Sequence, residues 1–325
     1  MPRRTVSVSH VYVHTERKPK ERKPIDNFDG NGSDLLVLLR AFVKGVDPNL
    51  LVDDTTERYV SIDDLEGSGR TLFCQVEAGW FGQSGKIKNV KTHEVEHEHT
   101  AESATTRTIR FVAVAPKGAK GMLVFTERVG GVNSSTRILA LFHKALRHHY
   151  DGEKLSFKIE TMVESAAWLQ KAELERVTGV VNSYGYNSDV ADAGNTKEIG
   201  RLVVDLVPSG KLEFLPKKVW LGLKNKNLSA AKVLGLSEDV HVDQISVKVS
   251  ADGKSKVFAI ENEKEPALAY LLAARGDVDS AVFIDFCFDH AKDLLPNVGS
   301  EWKAALKNGT WNPSDLDVTL ELPSE

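Results

Sequence analysis

Ile109-Arg-Phe-Val-Ala-Val-Ala115, Pro116-Lys-Gly-Ala-Lys-Gly121, Met122-Leu-Val-Phe-Thr-Glu-Arg-Val129 and Gly130-Gly131, continued to Tyr150, decide the architecture of this chain. The first and third pieces are rich in branched and aromatic residues, the composition of half-buried strands. Between them, one proline and two glycines in six residues supply turn chemistry. The glycine pair ends the second strand. Asn133, Ser134 and Ser135 then offer capping side chains to a helix with Ile138, Leu139, Leu141, Phe142, Ala145 and Leu146 at three- and four-residue spacing. Arg147, His148 and His149 fall in its last turn, where cations suit the helix dipole, and Gly152 lies just beyond. The stretch predicts hairpin, glycine turn and covering helix.

Working outward, a chain of 325 residues is long enough for two domains. Its 41% hydrophobic and 27% charged content is that of a folded, water-exposed protein. A net charge of −4 gives no general attraction to nucleic acid or anionic membrane, so such binding needs a local patch. Cys74 and Cys287 each sit in an apolar run, which suits two buried thiols in a reducing compartment. No apolar run reaches membrane-spanning length, and the Met-Pro-Arg-Arg start lacks a signal-peptide core. These features predict a cytoplasmic protein without a membrane partner.

Before the hairpin, Thr5–His14 alternates as a strand with Val6, Val8, His10, Tyr12 and His14 on one face. Residues 33–43 predict a helix with Ser33 or Asn31 as cap. Short strands follow at 59–62, 72–78 and 86–95, making a meander with the hairpin. Beyond it, 154–163 predicts a strand, 164–174 a short helix and 177–181 another strand. Residues 182–196, dominated by Gly, Asn, Ser and Asp, predict a loop or linker. Strands are expected at 199–207 and 218–223, and a turn or two of helix at 228–236. Strands at 241–249 and 256–260 flank the hairpin signal Asp252-Gly253. Residues 267–274 fit either strand or helix. Asp279 caps a helix over 280–294, and 318–322 predicts a last strand.

Three stretches bear on chemistry. His93-Glu-Val-Glu-His97 has the H-E-x-x-H spacing of zinc metallopeptidases, with His99 as a further imidazole. Only Val95 is apolar in the segment, so an amphipathic helix is not expected. As a strand it would place His93, Val95, His97 and His99 on one face. A metal-dependent hydrolase using these histidines is the alternative to a solvated sheet edge. Next, Gly130, Gly131, Ser134 and Ser135 lead from strand to helix, a place where free amides favour anions. Neither G-K-[ST] nor G-x-G-x-x-G accompanies them, so no cofactor is expected.

The third stretch is cationic. Arg17, Lys18, Lys20, Arg22 and Lys23 form a basic arm, while Arg137, Lys144, Arg147 and His148 decorate the central helix. Lys217, Lys218, Lys224 and Lys226 form another group. Together they offer contacts to a phosphate backbone, and Trp80, Phe81, Tyr184 and Tyr186 offer stacking surfaces. Each group taken alone reads as a solvated face. No nuclease-like D…E-x-K spacing stands in a strand context, and no Ser/His/Asp order with a nucleophile elbow is evident.

The order Gly79-Trp-Phe-Gly, Arg110-Phe-Val-Ala-Val-Ala-Pro116, Gly121-Met-Leu-Val-Phe-Thr-Glu-Arg-Val-Gly-Gly131 and Leu141-Phe-His-Lys-Ala-Leu146 resembles an uncharacterised bacterial family. Its members accompany mobile elements and phage-defence genes. The resemblance covers about residues 79–181 and implies a defence-linked role. It implies no catalytic residues.

The chain is therefore expected to be an α+β protein of two domains, with antiparallel sheets and helices packed on their faces. Residues 1–181 would form the first domain, 182–196 the linker and 197–325 the second. The expected function is non-catalytic binding of nucleic acid or of a partner protein in a defence or mobile-element system. A subunit of a homo-oligomeric assembly is the further alternative.

Overall fold

A computed structural model describes residues 3–162, 172–186, 197–210, 212–224, 227–238, 240–251, 254–260, 268–273 and 276–322. Its strands are β1 (Arg4–Thr15), β2 (Arg58–Ser68), β3 (Thr71–Trp80), β4 (Gly85–Lys88), β5 (Val95–His99), β6 (Thr105–Val114), β7 (Met122–Val129), β8 (Val132–Asn133), β9 (Leu155–Met162), β10 (Glu173–Tyr186), β11 (Lys197–Leu206), β12 (Gln244–Ala251), β13 (Lys254–Ile260) and β14 (Leu268–Ala273). The principal helices are α1 (Leu35–Gly45), α2 (Thr136–His149), α3 (Lys217–Lys224) and α4 (Ser280–Leu294). The antiparallel α+β architecture agrees with the expectation from the sequence.

Contacts divide the chain into two compact units, Met1–Met162 with Ala273–Glu325, and Val163–Leu272. The break differs from the one expected at 182–196. Residues 182–186 continue strand β10, and 187–196 lie outside the described residues. The first unit is discontinuous in sequence because helix α4, far along the chain, covers a sheet built from its first half.

In that unit β1 pairs antiparallel with β7 through Arg4–Val11 and with β9 through Val8–Thr15. Strands β7, β6, β3 and β2 follow in order, each antiparallel to the last. Alternation then sorts the side chains. Val112 lies opposite Phe125, and Phe125 opposite Val8, so these three share one face with Arg110, Glu127 and Arg4. Helix α4 covers this face and buries Phe283, Cys287, Ala291 and Leu294. On the other face lie Phe111, Cys74 and Phe157, with α1 and α2 above them; Phe42 of α1 meets Phe142 of α2 at 5.7 Å between ring centres. The hairpin and helix on which the sequence reading was centred therefore form the middle of the unit.

Helix α1 begins two residues later than expected, and its cap is Asp34, whose Oδ1 accepts from the Leu36 amide at 2.9 Å. Ser33 instead donates its hydroxyl to Asp29 at 2.6 Å. The strand expected over 86–95 is two strands, β4 and β5, joined by a turn in which His93 has φ 62°. Residues 318–322 are irregular rather than a strand, with only Leu320 buried among them.

In the second unit β10 lies between β11 and β12, and β13 and β14 continue the antiparallel order. Ala251 pairs with Lys254, the register of a two-residue hairpin; Asp252 and Gly253 themselves lie outside the described residues. The strand expected over 218–223 is instead helix α3. Trp220 and Leu223, three apart, are its buried positions, and Pro216 at its entry suits a helix start. Trp220 stacks on Phe258, which meets Tyr270 in turn. The helix expected at 164–174 lies mostly outside the described residues, and its last two positions open β10.

Candidate functional site

The basic arm is folded back along β1 rather than extended. Lys23 N–H donates to the Val13 carbonyl at 2.8 Å, Thr15 N–H donates to Glu21 at 3.2 Å, and His14 bridges to Arg22. The Arg22 guanidinium lies over the Tyr12 ring, 4.2 Å from its centre. Arg22 and Lys23 thus close the end of the sheet. Arg17, Lys18 and Lys20 remain exposed at the tip, with Lys18 paired to Glu21 at 3.0 Å. The tip is fixed beside β9 by Glu16 N–H, which donates to the Lys154 carbonyl at 2.9 Å.

Helix α2 is amphipathic. Ile138, Leu139, Phe142, Ala145 and Leu146 face the sheet, leaving Lys144, Arg147 and His148 in solvent near its C-terminal end. Arg137, at the other end, is occupied structurally. It donates to the Leu50 and Val52 carbonyls and lies 3.8 Å from Asp53. Ten residues of helix, about 15 Å, separate Arg137 from Arg147.

Between the end of α2 and strand β9 lies a cleft of about 860 Å³. His143, Lys144, Arg147, His148, Lys154 and Lys158 line it, together with the acids Glu16, Asp151 and Glu153. The cations of the cleft come from the end of α2 and from β9 with the residue before it; of the basic arm only Glu16 reaches the lining, and Arg17, Lys18 and Lys20 are not part of it. Lys154 and Lys158 were not singled out from the sequence; their signal was alternation on a strand whose exposed face follows the helix directly. The His143 ring is held by its Nε2, which donates to the Phe157 carbonyl at 3.0 Å. Lysine and arginine side chains lining a cleft are suited to contact phosphate oxygens.

The glycine-serine stretch is arranged for packing. Gly130 and Gly131 have φ 56° and 82° and turn β7 into β8. The Ser134 hydroxyl is buried and donates to the Arg110 carbonyl at 2.6 Å; that of Ser135 is buried against Thr126. Asn133 Oδ1 accepts from the Thr136 amide at 2.9 Å, so the start of α2 is capped from within. His93, His97 and His99 lie on a turn and on β5, so the helical H-E-x-x-H arrangement does not form. Among the described residues no group of three or more metal-ligating side chains is placed to hold an ion. Lys217 and Lys218 are exposed on α3 in the second unit, and Lys226 lies outside the described residues.

A second cleft, of about 650 Å³, opens on the α4 face near Arg4, Arg110 and Ser280. At its base the fully buried Glu127 accepts from Arg4 Nη1 at 2.5 Å, from Arg110 Nε at 3.0 Å and from the Arg110 amide at 3.1 Å. Burial alone would lower the Arg4 pKa, but hydrogen bonds and charge from Glu127, then Asp277, raise it. Arg4 also donates to the Gly276 carbonyl and to Asp277, tying the entry of α4 to β1. Nothing in the sequence pattern marked this group, whose members lie far apart in the chain. No helix among the described residues is long and apolar enough to cross a membrane. No family model, curated protein or solved structure matches the chain.

Proposed function

We propose that this chain is a non-catalytic binding protein that holds nucleic acid through the cleft between α2 and β9. The observation that carries the reading is the meeting of the end of α2 with β9 and the turn before it in one concavity, with Lys144, Arg147, Lys154 and Lys158 exposed along it. A net charge of −4 over the whole chain makes such a local concentration meaningful, because the rest of the surface repels a polyanion. Glu16, Asp151 and Glu153 at the same cleft limit affinity and make the contact sensitive to salt. The resemblance of residues 79–181 to proteins that accompany mobile elements and phage-defence genes is what favours a defence setting for this binding.

The test is fluorescence anisotropy of labelled DNA and RNA duplexes with the full chain. With three to four phosphate contacts, affinity falls roughly 50- to 150-fold between 50 and 200 mM salt. Reversing Lys144, Arg147 and Lys158 to glutamate abolishes binding on this reading, while Lys217→Glu, in the other unit, leaves it in place. Absence of binding at 50 mM salt, or full binding by the triple variant, overturns the proposal.

A further inference from the structure

The cleft between α2 and β9 changes in charge along its length. Helix α2 runs toward the turn and β9 runs back from it, and the two are pinned where His143 Nε2 donates to the Phe157 carbonyl at 3.0 Å. Lys144 and Lys158 adjoin that contact in sequence, and Arg147 stands one helical turn nearer the connection. The acids lie at the connection itself, with Lys154 among them. Asp151 N–H donates to the His148 carbonyl at 3.2 Å and Glu153 N–H to the Tyr150 carbonyl at 3.1 Å, with Gly152 between them at φ 86°. Glu16 is set beside them by its own amide, which donates to the Lys154 carbonyl at 2.9 Å.

Glu16, Asp151 and Glu153 are exposed, and among the described residues none of them forms an ion pair with Lys144, Arg147, Lys154 or Lys158. Glu16 reaches its neighbour Arg17, at 3.9 Å. Their oxygens stay open as acceptors. This end of the cleft also carries the negative pole of α2, which disfavours a phosphate and favours a hydrogen-bond donor. A DNA backbone brings acceptors, so beside it these carboxylates meet only repulsion. The RNA ribose differs by a 2′-hydroxyl, which donates. An ionised carboxylate accepts and cannot donate, and an acid on a ribose hydroxyl is a recurrent way of holding that sugar.

We infer that the nucleic acid of this cleft is RNA: Asp151 and Glu153 accept from ribose 2′-hydroxyl groups at the turn end, while Lys144, Arg147 and Lys158 take the neighbouring phosphates. The inference rests on the nucleic-acid reading of the cleft and adds the sugar to it. The acids act as selectors, repelling a deoxyribose backbone and bonding a ribose one.

The experiment compares, by anisotropy with the full chain, three duplexes of one sequence: RNA, DNA and 2′-O-methyl RNA, which keeps the A-form but has no hydroxyl to donate. RNA should bind about tenfold or more tighter than either, the scale of one hydrogen bond to a charged acceptor. In the Asp151→Ala/Glu153→Ala variant that preference should fall below about threefold, while DNA binds more tightly because the repulsion is gone. A damaged chain would lose affinity for both, so the opposite directions separate selection from misfolding. Asp151→Asn/Glu153→Gln keeps acceptor oxygens and should retain part of the preference. Equal affinity for RNA and DNA overturns the inference and leaves nucleic-acid binding standing. Equal affinity for RNA and its 2′-O-methyl form assigns the preference to helix shape and overturns it too, as does an unchanged preference in the double alanine variant. No binding of any of the three overturns the inference together with the reading beneath it.

Discussion

Glu127 is a tightly constrained ionisable side chain of the first unit. It is fully buried, and two guanidinium groups and one amide donate to it. Removing it leaves Arg4 and Arg110 buried with their shared counter-ion gone, which costs about 3–5 kcal/mol. Glu127→Ala should lower the urea midpoint accordingly; a loss under 1 kcal/mol would show that water replaces the carboxylate. His10 presents the opposite case. Its ring is buried beside Gly121, where a Cβ would come within 1.9 Å of Nε2, and that nitrogen has no hydrogen-bond partner. Burial first, then the Arg22 charge, lowers its pKa from 6.5 to about 4, against a smaller opposing effect of Glu160. The unfolded chain therefore takes up this proton before the folded one does. The stabilisation is complete above pH 6.5 and is lost as pH falls from 6.5 toward 4. Denaturation across that window should show the slope in the unaltered chain and a reduced slope in His10→Leu. Gly121→Ala should cost about 1–3 kcal/mol by overpacking, and His10→Ala in the same chain should recover part of it.

At the scale of elements, Asp34 does two jobs. One carboxylate oxygen caps α1, and both accept from Arg70, at 2.6 and 3.1 Å. Arg70 also donates to the Ala115 carbonyl at 2.7 Å, so the cap ties α1 to the sheet. Asp34→Ala should cost about 2–3 kcal/mol, and Asp34→Asn clearly less, because the amide still caps. Equal losses in a denaturant titration would assign the whole effect to the charge. Helix α1 was legible from Leu35, Leu36, Leu38, Leu39 and Phe42, but its cap was misplaced, since Asn31, Ser33 and Asp34 are all good caps and only the position of Arg70 selects among them. Helix α3 was misread for a different reason. Val219-Trp-Leu-Gly-Leu223 is a short continuous apolar run, which fits a strand as well as a helix, and it is the burial of Trp220 together with Leu223 that makes the period three.

On the scale of the molecule, the first unit depends on residues that the chain supplies last. Phe283, Cys287, Ala291 and Leu294 of α4 are buried on the face that carries Val8, Val112 and Phe125. A fragment of residues 1–162 leaves that face bare and should aggregate or unfold without a cooperative transition. A sharp two-state melt of the fragment by circular dichroism would contradict this. Burial also pushes the Cys287 thiol well above its ordinary range, as it does that of Cys74, so both should resist a thiol reagent until the chain unfolds.

Periodicity and turn chemistry determined the hairpin at 109–129, helices α1, α2 and α4 and the face of β1 that carries His10, Tyr12 and His14, because each depends on neighbours within a few residues. The cationic residues of the arm and of α2 were also visible as residue types. That Arg22 and Arg137 hold structure together while Lys144 and Arg147 share a cleft with Lys154 and Lys158 was decided by the folded chain alone. So was the meeting of Arg4, Arg110 and Glu127, and the return of residues 276–322 to the first unit. Side-chain alternation states which face a residue takes, but the partner across that face comes from pairing between distant strands, which a local pattern does not encode.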